Sequence, residues 1–160
     1  MATELPPSEL PLSELPGAVL FACNFNRVRS AMAEALMKLW YGAEVYVDSC
    51  GLRRDDDEAP DPFAVAVMDE LGADLSHHRS KTFEDVEGFY DVVVSLTPEA
   101  QHRAVELARH NAVDLEYWPT QDPTLAMGSR DAVLAAYRET RDALAERIRQ
   151  RFGKPATFGG

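Results

Sequence analysis

A thiol, a guanidinium and a carboxyl group stand in this chain at spacings that allow them to act together. Cys23 opens the run Cys23-Asn24-Phe25-Asn26-Arg27-Val28-Arg29-Ser30. A tight turn between Cys23 and Arg29 can aim successive backbone N–H groups at one point, and a helix starting there adds its partial positive charge, so an anion such as phosphate is held. Arg29 can grip two oxygens of that anion with its planar fork. The same field favours thiolate over thiol at Cys23, and thiolate is the nucleophilic form. Ser30 can donate a hydrogen bond to it. Far along the chain, Asp122 precedes Pro123 in Trp118-Pro119-Thr120-Gln121-Asp122-Pro123-Thr124. A carboxylic acid there can protonate an oxygen expelled from a phosphate ester, and as a carboxylate it can activate water against a cysteinyl phosphate. Pro123 keeps Asp122 out of the helical region and stiffens the loop.

These groups need elements to position them. Val19-Leu20-Phe21-Ala22 is an apolar run without a polar break, as in a strand covered on both faces. From Arg29 the period becomes helical, with Met32, Ala33, Leu36, Leu39 and Trp40 on one stripe and Gly42 at the end. Cys23 therefore sits where a strand ends and a helix begins. A second strand is predicted over 44–49. Asp61-Pro62 reads as an N-cap and first helical residue, followed by a stripe of Phe63, Ala66, Val67, Met68 and Leu71 that Gly72 stops. A third strand falls within 90–96, a helix runs from Thr97-Pro98 to about His110, and Val113, Leu115 and Tyr117 alternate in a fourth strand. A last helix runs from about Ser129 to Phe152, with Val133, Tyr137, Leu144, Ile148 and Phe152 facing inward. Strands alternating with helices predict one three-layer α/β domain, in which a central parallel sheet of about four strands is flanked by helices and the anion loop follows the first strand. Ligands in such folds sit at the carboxyl ends of the strands.

The run from Cys23 to Ser30, preceded by an apolar strand and followed by Ala33-Glu34-Ala35, resembles the signature of the low-molecular-weight protein tyrosine phosphatases, which is Cys, five residues, Arg, then Ser or Thr. The resemblance covers most of residues 17 to 152. It implies a metal-free, cofactor-free phosphatase in which Cys23 attacks phosphorus and Arg29 and the loop from Asn24 to Ser30 hold the oxygens. Asp122 would be the acid and then the base, since the family carries its general acid in a late Asp-Pro pair. The family's asparagine within the loop, here Asn26, is held by a serine and a histidine. Ser49, in Asp48-Ser49-Cys50-Gly51, and His78, in His78-Arg79-Ser80-Lys81, match them. Asn26 is expected in the left-handed conformation that asparagine tolerates. The substrate class implied is phosphotyrosine or another aryl or phosphoprotein monoester, with inorganic phosphate as product and inhibitor. Two other readings stand beside it: an arsenate reductase of the same fold, or a non-catalytic phosphoprotein-binding module. Arsenate reduction needs further thiols, and the chain offers Cys50 alone besides Cys23. The chain departs from the family pattern at Phe25, where glycine is usual, at Val28, in place of a second loop cysteine, at Ala31, in place of a frequent proline, and at Thr124-Leu125, in place of a tyrosine pair. The pocket rim is expected from Phe25, Arg27, Arg53 and Leu125.

Bulk properties limit the partners. The net charge of −11 over 160 residues argues against nucleic acid and against an anionic membrane surface. An anionic substrate must then be drawn by a local positive well. Two cysteines make no disulfide framework, which fits a reducing cytoplasm. Residues 1–16 form an acidic, proline-rich extension in which Ser-Glu-Leu-Pro recurs, unlike a signal peptide. The phosphatase-like domain is expected over 17–154 and a short tail over 155–160. Asp55-Asp56-Asp57-Glu58 reads as a solvated acidic loop.

Overall fold

The computed structural model of the chain describes residues 15–57, 59–86 and 88–153. The first fourteen residues of the acidic extension, Glu58 of the acidic run and the tail over 155–160 lie outside the described residues. The elements run β1 (Ala18–Cys23), α1 (Arg29–Tyr41), β2 (Tyr46–Gly51), α2 (Pro62–Asp69), β3 (Val92–Ser95), α3 (Pro98–Ala108), β4 (Asp114–Tyr117) and α4 (Arg130–Phe152). The four strands form one parallel sheet in the order β2-β1-β3-β4.

The sheet separates two apolar clusters. Val19, Phe21, Val47, Val92 and Val94 pack on one face against Leu36, Val67, Leu144 and Ile148 of α1, α2 and α4. Leu20, Ala22, Cys50 and Val93 pack on the other face against Ala100 and Ala104 of α3. β1 lies between two strands and is covered on both faces, so its side chains from Val19 to Ala22 are wholly buried. This explains its unbroken apolar run.

Several element ends differ from the sequence reading. β2 starts at Tyr46 and continues through Cys50 and Gly51, because β1 offers partners as far as Cys23, which pairs with Gly51. The stripe of α2 is Ala64, Val67 and Met68, while Leu71 lies beyond the helix and is 39% exposed. Asp61 is the N-cap of α2, its Oδ1 accepting from the N–H groups of Phe63 and Ala64. Gly42 ends α1 with an ordinary right-handed φ of −61°. Glycine is needed there for space, since a Cβ would stand 2.4 Å from the Lys38 carbonyl oxygen. Arg141, near the middle of α4, is buried, with its guanidinium on the Val67 carbonyl oxygen at 2.8 Å and on Glu70 at 2.7 Å. It fastens α4 to the end of α2. No described helix is long and apolar enough to cross a membrane.

Candidate active site

The loop between β1 and α1 is built by pinning its carbonyl groups outward. The Asn24 carbonyl accepts from the N–H groups of Leu52 at 2.8 Å and Arg53 at 3.1 Å. A peptide unit is planar and trans, so its N–H points opposite to its C=O. The N–H of Phe25 is therefore turned to the loop's concave side. The Asn26 carbonyl accepts from His78 Nε2 at 2.8 Å and Ser80 Oγ at 2.9 Å. By the same geometry the N–H of Arg27 also turns inward. Among the described residues, none of the N–H groups from Asn24 to Val28 donates to a protein acceptor. Such a nest of free donors at a helix start suits an anion.

Asn26 stands at the centre of the loop. It is fully buried and has φ of 57°, the only positive φ of a non-glycine residue among the described residues. Its Oδ1 accepts from the Lys81 N–H at 2.8 Å, which fixes the amide's orientation. Its Nδ2 then donates to Ser30 Oγ and Ser49 Oγ, each at 2.8 Å. With an acceptor site of Ser30 filled in this way, the Ser30 hydroxyl hydrogen can turn to Cys23 Sγ, 2.9 Å away. The same hydroxyl also has the Cys50 carbonyl oxygen at 3.4 Å as an acceptor, but the sulfur is the nearer of the two. The Ser49 hydroxyl donates to Glu34, a nearly buried carboxylate that also pairs with Lys38. His78 has its Nδ1 4.0 Å from the same carboxylate. His77, the preceding residue, has its side chain 91% exposed and lies 3.9 Å from Asp74, away from the loop.

Gly51 explains how the loop fits beneath the turn after β2. A Cβ there would lie 2.7 Å from Asn26 N and 2.8 Å from both Asn24 O and the Phe25 carbonyl carbon. Those neighbours are all backbone and cannot swing aside.

Arg29 and Asp122 are brought together from opposite ends of the chain. Arg29 Nη1 donates to the Thr120 carbonyl at 3.0 Å, and Nη2 lies 3.7 Å from Asp122 Oδ2. Asp122 has the extended backbone that a following proline demands, with φ −86° and ψ 107°. Its Oδ1 accepts from Thr124 N at 2.9 Å and Thr124 Oγ1 at 2.6 Å, capping the short 3-10 turn Pro123–Leu125. One carboxyl oxygen is thus committed to the turn and the other is directed at Arg29.

The rim differs from expectation at Arg27. Its guanidinium leaves the mouth for the Ala59 carbonyl at 3.0 Å and Asp57 at 3.1 Å, with Asp61 at 3.8 Å. Asp57 stays exposed to solvent, as expected of the acidic run, but its pairing with Arg27 also ties the acidic loop to the anion loop. Phe25 is 37% exposed, with the Arg53 guanidinium 5.2 Å over its ring, and Leu125 is 75% exposed. Cys50 is fully buried on the α3 face, and burial pushes its thiol up. Cys23 belongs to the cluster on the opposite face.

Sequence reasoning missed Glu34 and Ser80 as parts of this site, and the hydrogen bond from Thr97 Oγ1 to Asn24 Oδ1 at 2.8 Å. Glu34 carried a signal, since it lies one helical turn beyond Ser30 on the same side of α1. Thr97 was visible only as the start of a helix.

A model of the low molecular weight phosphotyrosine protein phosphatases matches residues 18–155. An arsenate reductase of Bacillus subtilis is 31% identical over 133 residues, covering 82% of this chain and 92% of that protein. A protein-arginine-phosphatase of the same organism is 29% identical over 140 residues, again covering 82% and 92%. The solved low molecular weight protein tyrosine phosphatase of T. tengcongensis superposes with a TM-score of 0.69 at 26% identity, covering 83% of this chain and 95% of that one. With the match running along most of its 160 residues, from the first strand past the last helix, the chain belongs to the low molecular weight phosphotyrosine protein phosphatase family.

Proposed function

We propose that this chain is a cysteine-dependent phosphatase that hydrolyses phosphotyrosine or another aryl or phosphoprotein monoester. The Cys23 thiolate attacks phosphorus, an S–P bond forms and the ester P–O bond breaks. The oxygens carrying the developing charge meet Arg29 and the inward N–H groups of the loop. Asp122, as the acid, gives its proton to the leaving oxygen. As the carboxylate it then takes a proton from water, which attacks phosphorus, breaks the S–P bond and releases inorganic phosphate and the thiolate. The observation that carries this reading is the meeting of Arg29 with Asp122 Oδ2 at 3.7 Å, because a module that only bound phosphate would need no carboxyl group beside its arginine. The free, buried cysteines fit a reducing cytoplasm. Residues 17–154 would be the catalytic unit, flanked by an acidic extension and a short tail.

A second reading is favoured by the relatives named arsenate reductases. Arsenate is an oxyanion of similar shape, and the same loop suits it. Its reduction takes two electrons: after Cys23 bonds to arsenic, a second thiol must attack that sulfur, leaving a disulfide as As(V) becomes As(III). Cys50, buried on the other face of the sheet, is poorly placed to be that thiol, so a thiol from another molecule would be needed.

The test offers the purified protein p-nitrophenyl phosphate, a phosphotyrosine peptide and a phosphoarginine peptide, and separately arsenate with glutathione or a dithiol reductant. Phosphatase turnover that Cys23→Ser abolishes supports the first reading. Arsenite formation without ester hydrolysis would replace it with the second.

A further inference from the structure

Thr97 lies at the junction of β3 and α3, and the proposed chemistry assigns it nothing. It is 2% exposed. Its hydroxyl accepts from the Ala100 N–H at 3.0 Å, which caps α3. The same hydroxyl donates to Asn24 Oδ1 at 2.8 Å. Capping uses only the oxygen's acceptor capacity, so the hydrogen is free for a second task. Here it reaches the residue that immediately follows the nucleophile.

Asn24 is therefore fixed at two points. Its carbonyl is held by Leu52 and Arg53, and its side chain by Thr97, on the opposite side of β1 in the sheet from β2. The carbonyl alone sets one peptide plane but leaves the Asn24 backbone free to rock about it. Fixing the side chain removes that motion and so orients the peptide units on either side of Asn24. The first loop N–H groups beyond Cys23 belong to those units.

We propose that Thr97 is a positioning residue of the anion loop, acting through Asn24 to aim the first N–H groups after Cys23 at the bound anion. The inference rests on the reading of this loop as the phosphate site, and it adds a role for a buried hydroxyl otherwise explained by the helix alone. Losing the bond frees the half-buried Asn24 side chain, and the net worth of one such hydrogen bond corresponds to a loss of up to about tenfold.

The test measures inorganic phosphate binding by calorimetry and kcat on p-nitrophenyl phosphate, with thermal stability followed in parallel. The variants are Thr97→Val, Thr97→Ser, Asn24→Ala and the double variant Thr97→Val with Asn24→Ala. Thr97→Val removes both the cap and the bond to Asn24, whereas Asn24→Ala removes the bond and leaves the cap. Each should weaken phosphate binding about tenfold, Thr97→Ser should stay near wild type, and the double variant should lose no more than about tenfold, since both changes break one bond. The proposal is overturned if Asn24→Ala binds phosphate normally, or if Thr97→Val loses only stability. It is also overturned if the two losses multiply to about a hundredfold, as independent effects would. A wild type that binds phosphate without turning over any ester would sink the phosphatase reading alone, and the binding data would still decide this one. A wild type that binds no phosphate would sink both.

Discussion

Replacing Asp122 by asparagine should move catalysis and product binding in opposite directions. The change keeps the side chain's size, and the amide oxygen can still accept from Thr124 N and Oγ1, so the turn Pro123–Leu125 should persist. What is lost is the proton carried to the leaving oxygen and the negative charge facing Arg29. General acid catalysis contributes about 10²–10⁴-fold, so kcat on a phosphotyrosine peptide should fall within that range. The fall should be smaller on p-nitrophenyl phosphate, whose leaving group needs little help, provided that hydrolysis of the cysteinyl phosphate does not limit the rate. The charge effect follows from the 3.7 Å separation of Arg29 Nη2 and Asp122 Oδ2. At that distance two unit charges attract by about 1 kcal/mol in bulk water and about 4 kcal/mol at an effective dielectric constant of 20. Asp122 has its side chain 28% exposed, which favours the lower figure. Bound phosphate competes with this carboxylate for Arg29 and is repelled by it. Removing the charge should therefore tighten phosphate inhibition about fivefold, the equivalent of about 1 kcal/mol. Steady-state kinetics with phosphate as a competitive inhibitor reads both quantities at once. Unchanged kcat on the peptide would refute the acid assignment. Weaker phosphate inhibition would refute the competition for Arg29. Asp61→Asn is the control: its amide oxygen can still cap α2, so any loss of stability should come from the Oδ2 contacts with the Tyr137 hydroxyl and Arg27, while kcat stays close to wild type.

Four further outcomes are expected. Arg29→Lys keeps a charge but loses the planar fork, so kcat should drop steeply; near-normal turnover would mean that another group holds the phosphate. Gly51→Ala drives a Cβ to 2.7 Å from Asn26 N, so phosphate binding should be lost even if the chain folds, and normal binding would show that the loop does not need this close approach. Mild peroxide should oxidise Cys23 without joining it to Cys50, because the two thiols lie on opposite faces of the sheet; a Cys23–Cys50 peptide in a digest would contradict this. Hydrogen bonds from Arg138 and then Arg141 hold the Glu70 carboxyl down at about 2 from an ordinary 4.5. A lowered acid contributes stability above its unfolded value and loses it as pH falls through its folded one. Urea unfolding of Glu70→Gln should thus lose part of the wild type's pH dependence between 4.5 and 2, and an identical slope would remove Glu70 from the account.

How much of this protein the sequence determines depends on the range over which each decision is made. The strand before Cys23, the helix from Arg29, the N-cap at Asp61 and the extended backbone of Asp122 rest on burial pattern or on neighbours within a few residues. All of them are legible in the chain itself. The left-handed Asn26 also follows from residue type and from the need to turn the five residues between β1 and α1 into a loop. Local pattern has no hold on contacts between distant segments. The contact of Thr97 with Asn24 spans β3 to β1, and the contact of Arg27 with Asp57 ties a solvent-exposed acidic run to the loop. Cys50 is the clearest case. By sequence it follows Ser49 and looks close to the nucleophile, but the pairing of Cys23 with Gly51 fixes the β1–β2 register. Side chains alternate along a strand, so that register sends Ser49 to the loop's face and Cys50 to the α3 face. A slip of one residue would exchange them, and only the packing of both faces of the sheet forbids it.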